Sequence, residues 1–150
     1  MSSHPDLSAD EKWSRVSLRI FSDTLSPEQV TEALGLPPTK THHKGDRVSP
    51  RYKMPLRRQH GWILASPFGG HPDLAAHLRW LLDLIEPKLV ALNQLRSTCK
   101  IDLFCGFSSG NGQGGFTLDG PLLTRLAKLE LNFGLDLYPP NIEELDAAEP

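Results

Sequence analysis

The sequence predicts an α+β domain in which helices cover one face of an antiparallel or mixed sheet, a ferredoxin-like α/β sandwich. Three observations carry that expectation. Val16, Leu18 and Ile20 alternate with Ser17 and Arg19, the period of a half-buried strand. Leu74, Leu78, Leu81, Leu82, Ile85, Leu89, Leu92 and Leu95 recur at spacings of three and four, the period of an amphipathic helix. Strand-like and helix-like segments then follow one another in the order β-α-(β)-β-α-β-β-α-β, which suits a small layered domain.

After the first strand, Ser26 is an N-cap, Pro27 suits the first helical position, and Gln29 completes a capping box. Gly35 and Pro37-Pro38 stop that helix. Thr41 to Val48 is compatible with an edge strand inside a stretch that otherwise reads as loop, and residues 61–66 (GWILAS) form a short apolar strand. The long helix spans residues 72–97, and Pro87 is expected to kink it or split it in two. Residues 99–107 alternate again. SSGNGQGG then reads as a hairpin tip leading to a strand at Phe116–Leu118. Asp119 or Gly120 caps the last helix, and Leu131 to Tyr138 is a final strand. Two strand-then-capped-helix starts, before SPEQVTEALGL and before DGPLLTRLAKLEL, suggest a pseudo-repeat of two halves.

With 150 residues, 39% apolar and 23% charged, the chain has the composition of one ordinary globular domain. The expected organisation is a flexible N-terminal segment at 1–12, a single domain at 13–140 and an acidic tail at 141–150. The first residues lack the apolar core of a secretory signal. The longest apolar cluster, around Trp80–Ile85, is too short for a membrane span. A cytoplasmic protein is expected. Cys99 and Cys105, six apart on one strand, would lie about 20 Å apart, too far for a disulfide. They read as small core residues.

Charge is unevenly spread. Residues 40–61 hold Lys40, Lys44, Arg47, Arg51, Lys53, Arg57 and Arg58 against Asp46 alone. From Glu130 onward there are six acids and no Lys or Arg. The basic stretch contains His42, His43 and His60, but no His-x-x-x-His or Cys-x-x-Cys spacing accompanies them, so no metal site is expected. Its one aromatic, Tyr52, falls short of the stacking platform of a single-strand binder. The glycines of residues 106–115 lead toward a strand without a following lysine, unlike a phosphate loop. G-F-S-S-G imitates a nucleophile elbow, but no histidine follows His77. Asp102 and Asp136, on polar strand faces, offer a carboxylate pair only if the fold brings them together.

Taken together, VSLRIFS, SPEQVTEALGLPPTK, KGD, GWILAS, the EPKL turn, KIDLFCGF and GGFTLDGPLLTRLAKLELNFGLDLYPP resemble the bacterial domain of unknown function 4279 family over residues 13–140. The resemblance implies a small α+β domain of the bacterial cytosol. It carries over no catalytic residue and no cofactor.

The leading expectation is a non-enzymatic interaction module, immunity-like by analogy. Its partner-binding residues would be Lys44, Arg47, Arg51, Lys53, Arg57 and Arg58. The alternative is a small-molecule or enzymatic pocket between sheet and helices, lined by Trp62, Asp102, Asp136 and Tyr138. Nucleic-acid binding through residues 40–58 is the lesser alternative. Homodimerisation through a sheet edge is compatible with all three.

Overall fold

The computed structural model describes residues 12–48 and 55–138. The expected N-terminal segment up to residue 11 and the acidic tail lie outside them. So do Arg51 and Lys53.

The chain runs β1 (Lys12–Ser22), α1 (Pro27–Leu34), β2 (Lys40–His42), β3 (His60–Ala65), α2 (Leu74–Ile85), α3 (Leu89–Leu95), β4 (Lys100–Ser109), α4 (Gly120–Leu129) and β5 (Asn132–Tyr138). The fold is α+β, with a five-stranded mixed sheet in the order β2-β3-β1-β4-β5. β1 is central and antiparallel to both neighbours, β3 and β4. β2 pairs antiparallel with β3, and β5 runs parallel to β4.

The pleat of β1 sorts the molecule into two sides, because successive side chains of a strand point to opposite faces. Val16, Leu18 and Ile20 are fully buried on one side, opposite Cys105, Leu103 and Ile101 of β4. Leu64 and Trp62 of β3 continue that side. The helices pack there and supply Val30, Leu34, Leu74, Leu78, Leu81, Leu82, Ile85, Leu92 and Leu122 to one core. On the other side stand Trp13, Arg15, Ser17, Arg19 and Phe21, with no described helix above them.

Local chemistry sets the helix limits. Ser26 accepts from the Gln29 backbone at 3.2 Å while the Gln29 side chain accepts from the Ser26 backbone at 2.8 Å, a complete capping box. Gly35 ends α1 at φ 67°, where a Cβ is disfavoured. Asp119 caps α4 by accepting from the Leu122 backbone at 2.8 Å. Pro87 splits the long leucine pattern as expected: α2 ends at Ile85, a 3-10 turn occupies Glu86–Lys88, and α3 follows.

The strand expected at Phe116–Leu118 does not form. Both edges of β4 are taken, one by β1 and one by β5, so a returning hairpin strand has no ladder to join. Phe116 instead packs its ring against Phe107 at 5.6 Å, and the segment leads directly into α4. Cys99 lies just before β4 and is half-buried, while Cys105 is buried within it. Both are free thiols. Burial, with Asp102 adding to it, pushes the Cys105 thiol up to about 12, so it behaves as a small hydrophobe.

Trp62 is wholly buried, and its Nε1–H donates to Thr31 Oγ1 at 2.9 Å. This bond ties β3 to α1. Trp62→Phe should lower unfolding stability by about 1–3 kcal/mol, through a lost partner and an underfilled site. Thr31→Val in the same background should then cost less than in the wild type. Urea unfolding of the two single variants and the double variant measures this.

Candidate functional site

The open side of the sheet is concave and holds a cavity of about 330 Å³. β1 supplies Arg15, Ser17 and Arg19 to its floor, and β3 adds Ile63 and Ala65. Trp13, Phe104, Gly106 and Tyr138 form one wall, with Thr39 and Lys40 at the opposite rim. The pairings Arg19–Ile63 and Lys40–Ile63 explain the convergence: residues opposite one another in antiparallel ladders share a face.

Trp13 is the best-fixed member of the wall, 7% exposed although it lies on the side away from the helices. Two glycines make room for it. A Cβ on Gly70 would collide with the indole ring, and one on Gly106 would crowd both Trp13 and Tyr138. The Trp13 and Tyr138 rings meet edge to face at 5.6 Å, a favoured aromatic geometry.

A buried polar network holds the loop that carries Gly70. The His71 carbonyl accepts from Ser14 Oγ at 2.6 Å and from His77 Nε2 at 3.0 Å. With Nε2 donating, His77 Nδ1 accepts from Ser66 Oγ. Ser14 adjoins Trp13 in β1, so the network anchors the loop beside the indole. Ser66 and His77 resemble a nucleophile and its base, but both are buried among the helices, away from the cavity.

Arg19 and Asp102 form a bidentate pair at 2.8 and 2.7 Å across β1 and β4. The same guanidinium lies 4.1 Å from the centroid of the Phe104 ring, a cation–π distance. Arg15 lies over Trp13 at 5.6 Å. Among the described residues neither Arg15 nor Lys40 has a carboxylate partner. No His, Cys, Asp or Glu of the described chain lines the cavity.

Of the four pocket residues expected from sequence, Tyr138 lines this cavity. Asp102 lies on its side of the sheet, committed to Arg19. Asp136 lies beside Tyr138, whose hydroxyl is raised in pKa first by burial and then by that carboxylate. Asp136 faces Gly106, four residues along β4 from Asp102, so the two carboxylates are about 13 Å apart and form no pair. Trp62 belongs to the core instead. Its place opposite Ile20 puts it on the helix side, so the cavity lies across the sheet from where that reading set it.

The described parts of the basic stretch, residues 40–48 and 55–61, are more ordered than a loop. Past β2 and β3 it continues as a narrow ribbon: Gly45 donates to the Arg57 carbonyl at 2.8 Å, Arg57 to Asp46 at 2.7 Å, and Val48 to Pro55 at 3.2 Å. An isolated bridge joins Arg47 to Leu56. Lys44, Arg47 and Arg58 are exposed and Arg57 is half-buried. His43 Nε2 contacts Glu28 at 2.8 Å, and His60 Nδ1 accepts from the Lys44 backbone at 3.0 Å. The His42 ring lies over Gly61, where a Cβ would collide with it. The His43 and His60 rings meet edge to face at 5.9 Å, and no metal-binding cluster of three or more such groups occurs among the described residues. Ser108 of the G-F-S-S-G sequence sits inside β4 and donates to the Tyr138 carbonyl at 2.8 Å. It fastens β5 in place. No described helix is long and apolar enough to cross a membrane.

The family model described as domain of unknown function (DUF4279) matches residues 11–140. The chain belongs to that family. No curated protein and no solved structure matches the DUF4279 chain.

Sequence reasoning missed both the Trp13 wall and the His77 network. The signal for Trp13 was its parity with Arg15 and Arg19, since odd positions of β1 share one face. The signal for His77 was a histidine three residues after Leu74 and four before Leu81, on the apolar stripe of a helix.

Burial holds the His77 pKa below its ordinary value of 6.5. The unfolded chain therefore binds this proton more readily than the folded one, and stability is lost as pH falls. His42, also lowered by burial, acts in the same direction. Unfolding free energy should decline from pH 7.5 to 5.5, by up to about 1.4 kcal/mol per pH unit for each proton. His77→Asn should flatten that slope, as denaturant unfolding across the pH range will show.

Proposed function

We propose that this domain is a non-enzymatic binding module that takes a small planar anion in the cavity on the open side of the sheet. The observation that carries the reading is the character of the lining. It presents cations without a described carboxylate partner and aromatic walls, and none of its described lining residues is a His, Cys, Asp or Glu. Arginine suits a carboxylate or phosphate because its planar fork donates two parallel bonds. Trp13, Phe104 and Tyr138 favour a flat apolar body beside that anion. The volume is at the small end of ligand cavities, which favours one ring system and one anionic group over a polymer.

AMP and indole-3-carboxylate serve as probes of the phosphate and carboxylate forms. At least one should raise the melting temperature by several degrees at saturation, since ligand at a hundred times its Kd stabilises by about 2.7 kcal/mol. Adenosine and free phosphate should do much less. Arg15→Ala combined with Lys40→Ala should remove the shift without altering the unliganded melting temperature by more than a few degrees. No shift with either probe would sink the reading.

A second reading is favoured by the ribbon, whose two arms carry Lys44, Arg47, Arg57 and Arg58 together with exposed Val48 and Leu56. Such a mixed basic and apolar surface suits an acidic protein partner, as in an immunity-like module. It suits nucleic acid less, because stacking aromatics are few. Alanine at those four basic positions should weaken binding of a glutamate-rich peptide, measured by anisotropy, and leave AMP binding unchanged. Equal peptide affinity for both proteins would count against it.

Two finer assignments accompany these. The first four strands read as a ferredoxin-like unit, supported by the chain order β1-α1-β2-β3-α2-β4 and the lateral order β4-β1-β3-β2. α4 and β5 are then an addition at the β4 edge. The free thiols of Cys99 and Cys105 support a cytosolic setting.

A further inference from the structure

β5 is an edge strand, paired among the described residues only with β4. Edge strands of monomers are usually short, charged or covered, since bare ladder groups invite another strand. β5 has seven residues and a single charge, Asp136. Phe133, Leu135 and Leu137 are 38%, 41% and 64% exposed. They stand opposite Leu103, Cys105 and Phe107 of β4, so all three lie on the helix side of the sheet. Three large apolar side chains in a row on an open edge mark an interaction surface.

We propose that β5 is a homodimer seam, pairing antiparallel with β5 of a second copy about a two-fold axis through Leu135. The strand is self-complementary in this register. Leu135 meets its own copy, Phe133 meets Leu137, and the seven residues pair along their full length. On the open side, Asp136 falls opposite Gly134 and Asn132 opposite Tyr138. Neighbouring registers that keep the apolar face aligned are worse. A shift one way sets Asp136 against Asp136, and like charges directly opposite are destabilising. A shift the other way drops Leu137 past the end of the partner strand. Because the axis stands perpendicular to the sheet, the two five-stranded sheets join into one. Both helix layers then lie on one side and both cavities on the other. The arrangement is isologous and closed, so it ends at two copies. It also places Asn132 of the second copy beside Tyr138, at the cavity wall.

Light scattering after gel filtration of the full chain, over a concentration series, should give twice the 16.7 kDa chain mass. Leu135→Lys should weaken association at least about tenfold, as a charge on an edge strand does, and circular dichroism should show the fold unchanged. In a Cys105→Ala background, which removes the free thiol opposite position 135, Leu135→Cys should form a disulfide-linked dimer on mild oxidation, because the two thiols meet at the axis. Leu137→Cys should not, because it faces Phe133. A single-chain mass at every concentration would overturn the proposal and assign the stripe to another occupant. So would a dimer indifferent to Leu135→Lys, or equal cross-linking at 135 and 137. Ligand binding by a chain of single-chain mass would leave the cavity reading standing and this one refuted.

Discussion

Every other part of the structure is arranged around the pleat of β1. Its even-numbered residues, from Ser14 to Ser22, face the helices, and its odd-numbered residues, from Trp13 to Phe21, face away. A slip of one residue would exchange the two sets, sending Arg15 and Arg19 into an apolar core. Neighbours on both sides fix the register over ten positions with β4 and six with β3. The Arg19–Asp102 pair adds a polar pin on the open side, partly solvated at 29% and 28% side-chain exposure. It contributes more to alignment than to stability.

The cavity wall depends on that register through Ser14 and Trp13. One residue reaches the helix-side loop by a hydrogen bond, and the next packs against the same loop from the other side. The close approach works because Gly70 and Gly106 lack side chains where the indole passes. Polar groups buried among helices thereby position an aromatic ring that lies across the sheet from them.

Much of the fold was legible in the sequence because it follows from short-range rules. The Ser26–Gln29 capping box, the stop at Gly35, the break at Pro87 and the alternation of β1 and β4 are each written in a few neighbouring residues. The failed strand at Phe116–Leu118 shows the limit: alternation says that a segment suits a ladder, and only topology says whether an edge is free. The site was less legible. Trp62 carried the wrong expectation because a short, continuously apolar strand does not reveal which of its faces meets the helices. The basic stretch drew attention by charge count, while of its described cations only Lys40 reaches the cavity, where it meets Arg15 and Arg19 of β1. Their meeting depends on β3 lying between β1 and β2, which no local pattern specifies.

The central position of β1 also bears on how the chain is made. Its nearest ladder partner begins at His60, and its longest partnership ends at Ser109. At about 5–20 residues per second, roughly 5–20 s separate the synthesis of Lys12 from that of Ser109. Throughout that interval Val16, Leu18 and Ile20 are made but lack β4, and loop closure over such a span precedes any reward from pairing. The growing chain therefore carries this apolar strand without its longest partner throughout that interval, with β3 alone able to cover one of its edges.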